Sequence, residues 1–262
     1  MIPRPRIGAV AALLLALLAA LAVPVGAQDA VAAARALLAA WHEDPARIDR
    51  ARALLEAAAA GADPAPETLI ELSSVWFLAG EFRAGGEPGR IAAYERGAEA
   101  ARRAVAASSR SDRAHFMLAI NYGRLAEIRG VMRAVTLVGT IREESATVLR
   151  LNPSNVEGLI LAGSLAAEMP ALLGGDRVKA EALFKRALEL DPHRTGGRLE
   201  LARLYLAGRR WPEAQRELQS VVDEPAATDI PRWTVGERPR ARALLAELYD
   251  RGLISRPPAQ SP

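Results

Sequence analysis

Arg177-Val-Lys-Ala-Glu-Ala-Leu-Phe-Lys-Arg-Ala-Leu-Glu-Leu-Asp-Pro192 is the stretch that decides the fold. Ala180, Phe184 and Ala187 recur at three and four, so two small side chains and one large ring share a helical stripe. The alanines let neighbouring helices approach closely, and Phe184 fills the gap one turn on. Asp191-Pro192 ends the helix, because the residue before proline avoids the helical region. The segment reads as the second helix of a packed pair.

A matching first helix recurs on either side of it. Leu201-Ala202-x2-Tyr205 is followed by Ala214 and Leu218, and the same pattern returns as Leu118-Ala119-x2-Tyr122 and Leu245-Ala246-x2-Tyr249. Near the start, Leu38-Ala39, Ala51, Leu55 and Ala58 lead to Asp63-Pro64. Leu72-Ser73 and Trp76 then precede Gly97, Ala101 and Ala104, and Ala162-Gly163 leads into the Ala180 helix. No stretch after residue 27 alternates with period two, so strands are not expected. The chain is predicted to be all-α, with units near 32–65, 66–111, 112–155, 156–194 and 195–238 and a closing helix near 239–251. Extra residues fall at 80–92, 123–140, 169–176 and 223–238.

These spacings resemble the tetratricopeptide repeat (TPR) family over nearly all of the chain after the leader. The resemblance implies helical-hairpin repeats stacked into a right-handed α-solenoid, made irregular here by the inserts. It assigns repeat packing to Leu118, Ala119, Tyr122, Gly163, Ala180, Phe184, Ala187, Pro192, Leu201, Ala202, Tyr205, Ala214, Leu245, Ala246 and Tyr249. In such arrays the first helices line a concave groove. Its fifth position holds Ile70, Phe116, Ile160 and Leu199, and its ninth holds Ser74, Ile120, Ser164 and Arg203. Family members that clamp a C-terminal carboxylate carry Lys, Asn and Arg at these places, so a clamp is not expected. The groove is expected to receive an apolar helix or a small apolar ligand, with Arg124 and Arg203 available to neutralise an acid on it. Residues 94–250 also bear a looser resemblance to two relatives. Leu173-Gly-Gly-Asp176 is similar to a turn of the TRAP transporter T-component family, and Leu151-Asn152-Pro153 to a step of the regulator of microtubule dynamics family.

The 262 residues carry a net charge of +3, which falls to +1 without a leader containing Arg4, Arg6 and no acid. Nucleic-acid binding, which needs clustered positive charge, is disfavoured. Met1 to Arg6 is short and positive, Ile7 to Val23 is apolar, and Val25 and Ala27 stand where signal peptidase accepts small residues. Residues 1–27 are therefore expected to be a secretory signal, cleaved before Gln28, with the protein periplasmic and no stable membrane span remaining. Cysteine is absent, which excludes disulfides, thiolate metal sites, thiol nucleophiles and a lipoprotein anchor. The repeat domain is expected over 28–252, with a disordered tail at 253–262.

Signals for chemistry are weak. There is no Gly-x-Gly-x-x-Gly, Walker loop or Gly-x-Ser-x-Gly. His42, His115 and His193 fall on different units, and they read as packing or surface residues rather than ligands. Glu143-Glu144 reads as a solvated face. Gly174-Gly175 reads as a tight turn capped by Asp176 before it reads as an anion cradle. Val131, Val135 and Val138, interleaved with Arg129, Arg133 and Arg142, suit a lengthened helix pair over the groove better than a membrane-surface helix. The expected function is a non-enzymatic interaction scaffold in the bacterial periplasm or envelope, without cofactor or metal, binding another protein or peptide. The alternative is a small apolar-ligand binder associated with a TRAP-type transporter. An enclosed cavity lined by Phe116, Ile120, Ile160 and Ser164 would favour the latter.

Overall fold

The computed structural model describes residues 26–171 and 174–255, the side chains of 27 and 131–136 excepted. The expected leader (all but its last two residues), Leu172, Leu173 and the tail from 256 lie outside the described residues. Helices alternate with short turns throughout. They are α1 (Ala27–Leu38), α2 (Ala46–Ala58), α3 (Pro66–Phe82), α4 (Gly86–Ala107), α5 (Asp112–Arg129), α6 (Val131–Leu151), α7 (Val156–Glu168), α8 (Arg177–Leu190), α9 (Thr195–Ala207) and α10 (Trp211–Val222). A helical turn at Ile230–Arg232 runs through a π-helical stretch, Trp233–Glu237, into α11 (Arg238–Asp250). Consecutive helices pair as antiparallel hairpins, and each hairpin packs on the next. The fold is an all-α solenoid. No helix among the described residues is long and apolar enough to cross a membrane.

Local chemistry sets the helix ends. Ser111, Asn155 and Asp176 cap α5, α7 and α8 by accepting from amides in the first turn, at 3.2, 2.8 and 3.0 Å. Gly130, with φ +76°, is the whole connection between α5 and α6, a backbone state that glycine reaches cheaply. The apolar insert at 123–140 is thus absorbed into two lengthened helices.

The Gly174-Gly175 segment forms a tight turn. Gly175 donates to the Pro170 carbonyl at 3.0 Å, and a Cβ there would lie 1.8 Å from the Met169 carbonyl oxygen. Asp176 already occupies the first free amides of α8, so the turn is explained by packing and capping.

The deciding stripe is buried. Ala180, Phe184 and Ala187 are at most 1% exposed, and the first two pack with Leu201, Tyr205 and Ala214. A Cβ on Gly163 would come within 2.6 Å of the Phe184 ring, so the smallest residue stands where two helices meet most closely. Leu118, Ala119, Ala202 and Leu245 are also buried, Tyr122 and Tyr249 are half-buried, and Pro192 stands exposed in its turn.

Three expectations need correction. Ala246 is exposed, because α11 ends the array and no further helix closes on it. Leu253 and Ile254 do not belong to a loose tail: they pack on the last core cluster, and Gln215 donates to the Ser255 carbonyl at 3.3 Å. Glu144 is turned inward to meet His115 Nδ1, while His115 Nε2 lies 3.0 Å from the Ser109 carbonyl oxygen, so only Glu143 of that pair faces water.

Glu181 staples α8 to α9 and α10. It accepts from the Tyr205 hydroxyl at 3.0 Å and pairs with Arg210 at 2.6 Å and Lys185 at 2.8 Å. Burial pushes its carboxyl up, but the hydrogen bonds from Lys185, Arg210 and Tyr205 outweigh this and hold it down to about 2. A depressed folded pKa gives stability that is present above the unfolded value and lost as pH falls through the folded one. Stability supplied by this contact is therefore expected to disappear between pH 4.5 and about 2. Urea titrations across that window should show a shallower loss in Glu181→Gln than in wild type. Parallel losses in the two proteins would remove Glu181 from the acid response.

Candidate binding groove

The first helices α3, α5, α7 and α9 neighbour one another along the array, and the Trp233–Glu237 stretch packs on α9. Of the expected groove residues, Phe116, Ile120, Ile160, Ser164 and Ser74 are half-buried on these helices. Arg124 and Arg203 reach the surface, at 39% and 44% side-chain exposure. Ile70 and Leu199 do not belong to the accessible set. They are 4% and 6% exposed, and neighbouring helices cover them, so they pack rather than bind.

Neither groove arginine is free to neutralise an incoming acid. Arg124 pairs with Glu81 at 3.0 Å and Glu127 at 2.8 Å, and Arg203 pairs with Glu200 at 3.1 Å. Burial works against the Arg124 cation, yet Glu81 and Glu127 raise its pKa further. Glu81 also accepts from the buried Tyr94 hydroxyl, whose pKa is pushed up by burial first and by that carboxylate second. Glu168 is the exception on the acidic side. It is exposed at the end of α7, where partial desolvation, reinforced by the nearby Glu200, raises its pKa, and among the described residues no cation stands within ion-pair distance of it.

At the N-terminal end a second cluster locks α1, α3 and α5 together. Glu71, 6% exposed, meets Arg35 at 2.7 Å and Arg113 at 2.6 Å. Glu67 pairs with the same two arginines. Burial pushes the Glu67 carboxyl up, and Arg113 more than reverses this. All four charges are engaged with each other.

Sequence reasoning missed Phe77, Glu81 and Arg232. Phe77 is 7% exposed, packs on Tyr94 at 5.9 Å, and carries the Arg124 guanidinium 5.9 Å from its ring centre. Arg232 places a second guanidinium 5.6 Å from the same ring, reaching from the C-terminal segment to the second hairpin. The Arg232 backbone amide donates to Asp229 at 3.1 Å, and its side chain lies 3.3 Å from that carboxylate. Asp229 in turn faces Arg194 at 3.7 Å. No local pattern announces a contact between residues so far apart in the chain. A phenylalanine on a helix stripe and an arginine in a proline-rich connection each look ordinary.

The histidines are bound into the scaffold. His193 Nδ1 lies 2.8 Å from Glu224, His115 meets Glu144, and His42 Nδ1 is buried with no hydrogen-bond partner among the described residues. Val138 is half-buried on α6, and the side chains of Val131 and Val135 lie outside the described residues.

Residues 171–248 match the model of the tetratricopeptide repeat family. No curated protein matches the chain. Among solved structures it is similar to TTC0263, a thermophilic TPR protein of Thermus thermophilus. The two are 24% identical with a TM-score of 0.59, over 82% of this chain and 100% of that one. Pseudomonas aeruginosa pilF is 15% identical with a TM-score of 0.50, over 87% and 95% of the two chains. Residues 171–248 are thus matched as tetratricopeptide repeats, and the chain shares the helical-repeat fold of these structures.

Proposed function

We propose that this protein is a non-enzymatic interaction scaffold of the bacterial periplasm or cell envelope, and that it takes a protein or peptide partner on its concave face. The observation that carries this reading is the composition of that face. Phe116, Ile120 and Ile160 remain half-buried on the first helices beside the charged pairs of Arg124 and Arg203. Apolar area rimmed by polar groups is how helical repeats hold extended or helical segments. The exported location rests on the charged, apolar and small-residue sequence of the leader.

Photo-crosslinking residues at Ile120 and Ser164, with Arg186 as an outward-facing control, test both parts in a bacterial host that exports the protein. The groove positions should give discrete crosslinked species that the control does not. Mass spectrometry of the periplasmic fraction should find a chain beginning at Gln28. Equal labelling from Arg186 would remove the groove, and a chain retaining Met1 in the cytoplasm would remove the address.

A further inference from the structure

The C-terminal contact with Phe77 says more about this groove than its lining does. Arg232 reaches a ring on the second hairpin, and the π-helical stretch Trp233–Glu237 follows at once. A π-turn inside a helix is a common site of kinking and of functional adjustment. The segment is tethered at both ends. The Trp233 indole donates to the Val221 carbonyl at 2.7 Å, and Glu237 accepts from the Thr195 hydroxyl. Its middle is lightly held, with Val235 42% exposed and open space around Gly236.

The charge left on the groove walls names what could replace Arg232. Glu81, Glu127, Glu168 and Glu200 stand against Arg124 and Arg203. The walls carry more carboxylates than guanidiniums, and the chain brings in a further guanidinium of its own. Arg124 already lies over the Phe77 ring, so Arg232 is seated near a like charge, with Asp229 of the same segment 3.3 Å away as its counter-ion.

We propose that residues 229–237 form a latch across the groove, with Arg232 seated on Phe77 as an internal ligand, and that a basic peptide enters by placing its own cation there. This rests on the concave face being the binding face, and it adds both the partner's charge and the step that admits it. An arginine of the incoming segment takes the Phe77 ring, and a neighbouring cation pairs with Glu168. The latch then swings on the π-turn while α11 keeps its packing.

Two measurements test this, and the first needs no partner. The chain has no cysteine, so spin labels at Glu99→Cys on α4 and Val235→Cys in the latch, both exposed, report the span from the second hairpin to the latch without background. Pulsed electron resonance should give one narrow distance distribution in the otherwise wild-type chain. It should be longer and broader in Arg232→Ala, and narrow again in Arg232→Lys. An unchanged distribution in Arg232→Ala, with helix content intact, overturns the latch and leaves the groove reading standing.

The second uses synthetic nonapeptides of alternating arginine and alanine, or glutamate and alanine, followed by fluorescence anisotropy at physiological salt. The arginine peptide should bind and the glutamate peptide should not. Arg232→Ala should tighten binding about fivefold, the scale of one surface cation–π contact. Glu168→Gln should weaken it. Arg203→Ala removes the same charge without touching Phe77, and should tighten binding less. Equal gains in the two arginine variants, or binding of the glutamate peptide, would overturn the proposal.

Discussion

Phe184→Asp is expected to leave residues 177–250 without a stable fold. The ring is 1% exposed, is packed among Ala180, Leu201, Tyr205 and Ala214, and lies against Gly163. Removing a ring of this kind costs about 3–5 kcal/mol, and burying an unpaired carboxylate adds several more. Whole domains are stable by only about 5–15 kcal/mol, so the sum reaches the size of the total. Repeats lean on their neighbours, so the damage spreads from the α7–α8 hairpin to the units that stack on it. Far-UV circular dichroism should show a large loss of helix, and limited proteolysis should cut within 177–250 first. Phe184→Leu keeps an apolar side chain and should cost only about 1–2 kcal/mol, read as a shift in urea midpoint. Wild-type melting in the aspartate variant would remove Phe184 from the core.

The repeat register was legible because it is written in small residues at fixed spacing. Ala180, Ala187, Ala202 and Ala214 each stand where two helices touch, and any larger side chain there would hold the pair apart. The same pattern misled at Ala246, since local sequence shows that a position is small and not whether a partner follows it. Ile70 and Leu199 misled in the same way: helical spacing places them on the first helices, but the tightness of the stack decides whether that face stays open. Glu144 and the Leu253-Ile254 pair are decided by contacts from other helices, which no window of neighbouring residues contains. Phe77 and Arg232 are the extreme case. Their meeting depends on how the intervening hairpins turn the chain back on itself, a sum of small rotations that periodicity cannot supply.

Gly97→Ala is expected to destabilise the N-terminal half and to be relieved by a second change at Asn121. Gly97 on α4 faces a small buried polar set between α3 and α5. The Ser73 hydroxyl donates to the Gly97 carbonyl at 2.8 Å, and Asn121 Nδ2 donates to Ser73 Oγ at 3.1 Å and to the Met117 carbonyl at 2.8 Å. An added Cβ would lie 2.2 Å from Asn121 Oδ1 and 2.8 Å from its Cγ. Asn121 is fully buried, so it can give way only by breaking the bonds it donates. Overpacking of this kind costs about 1–3 kcal/mol, and each buried bond lost adds about 1. Asn121→Ala should also destabilise alone, by leaving Ser73 with one partner fewer and a void beside it. In the double variant the new methyl occupies space that the amide has vacated. The two costs should therefore fall short of adding, with a coupling of about 1 kcal/mol or more in urea midpoints. Simple additivity would mean that Asn121 is not what holds α4 at this distance. The set also fixes α3, which carries Phe77, against α5, which carries Arg124. Gly97→Ala should therefore broaden the distance distribution between labels at Glu99 and Val235, and the double variant should narrow it again.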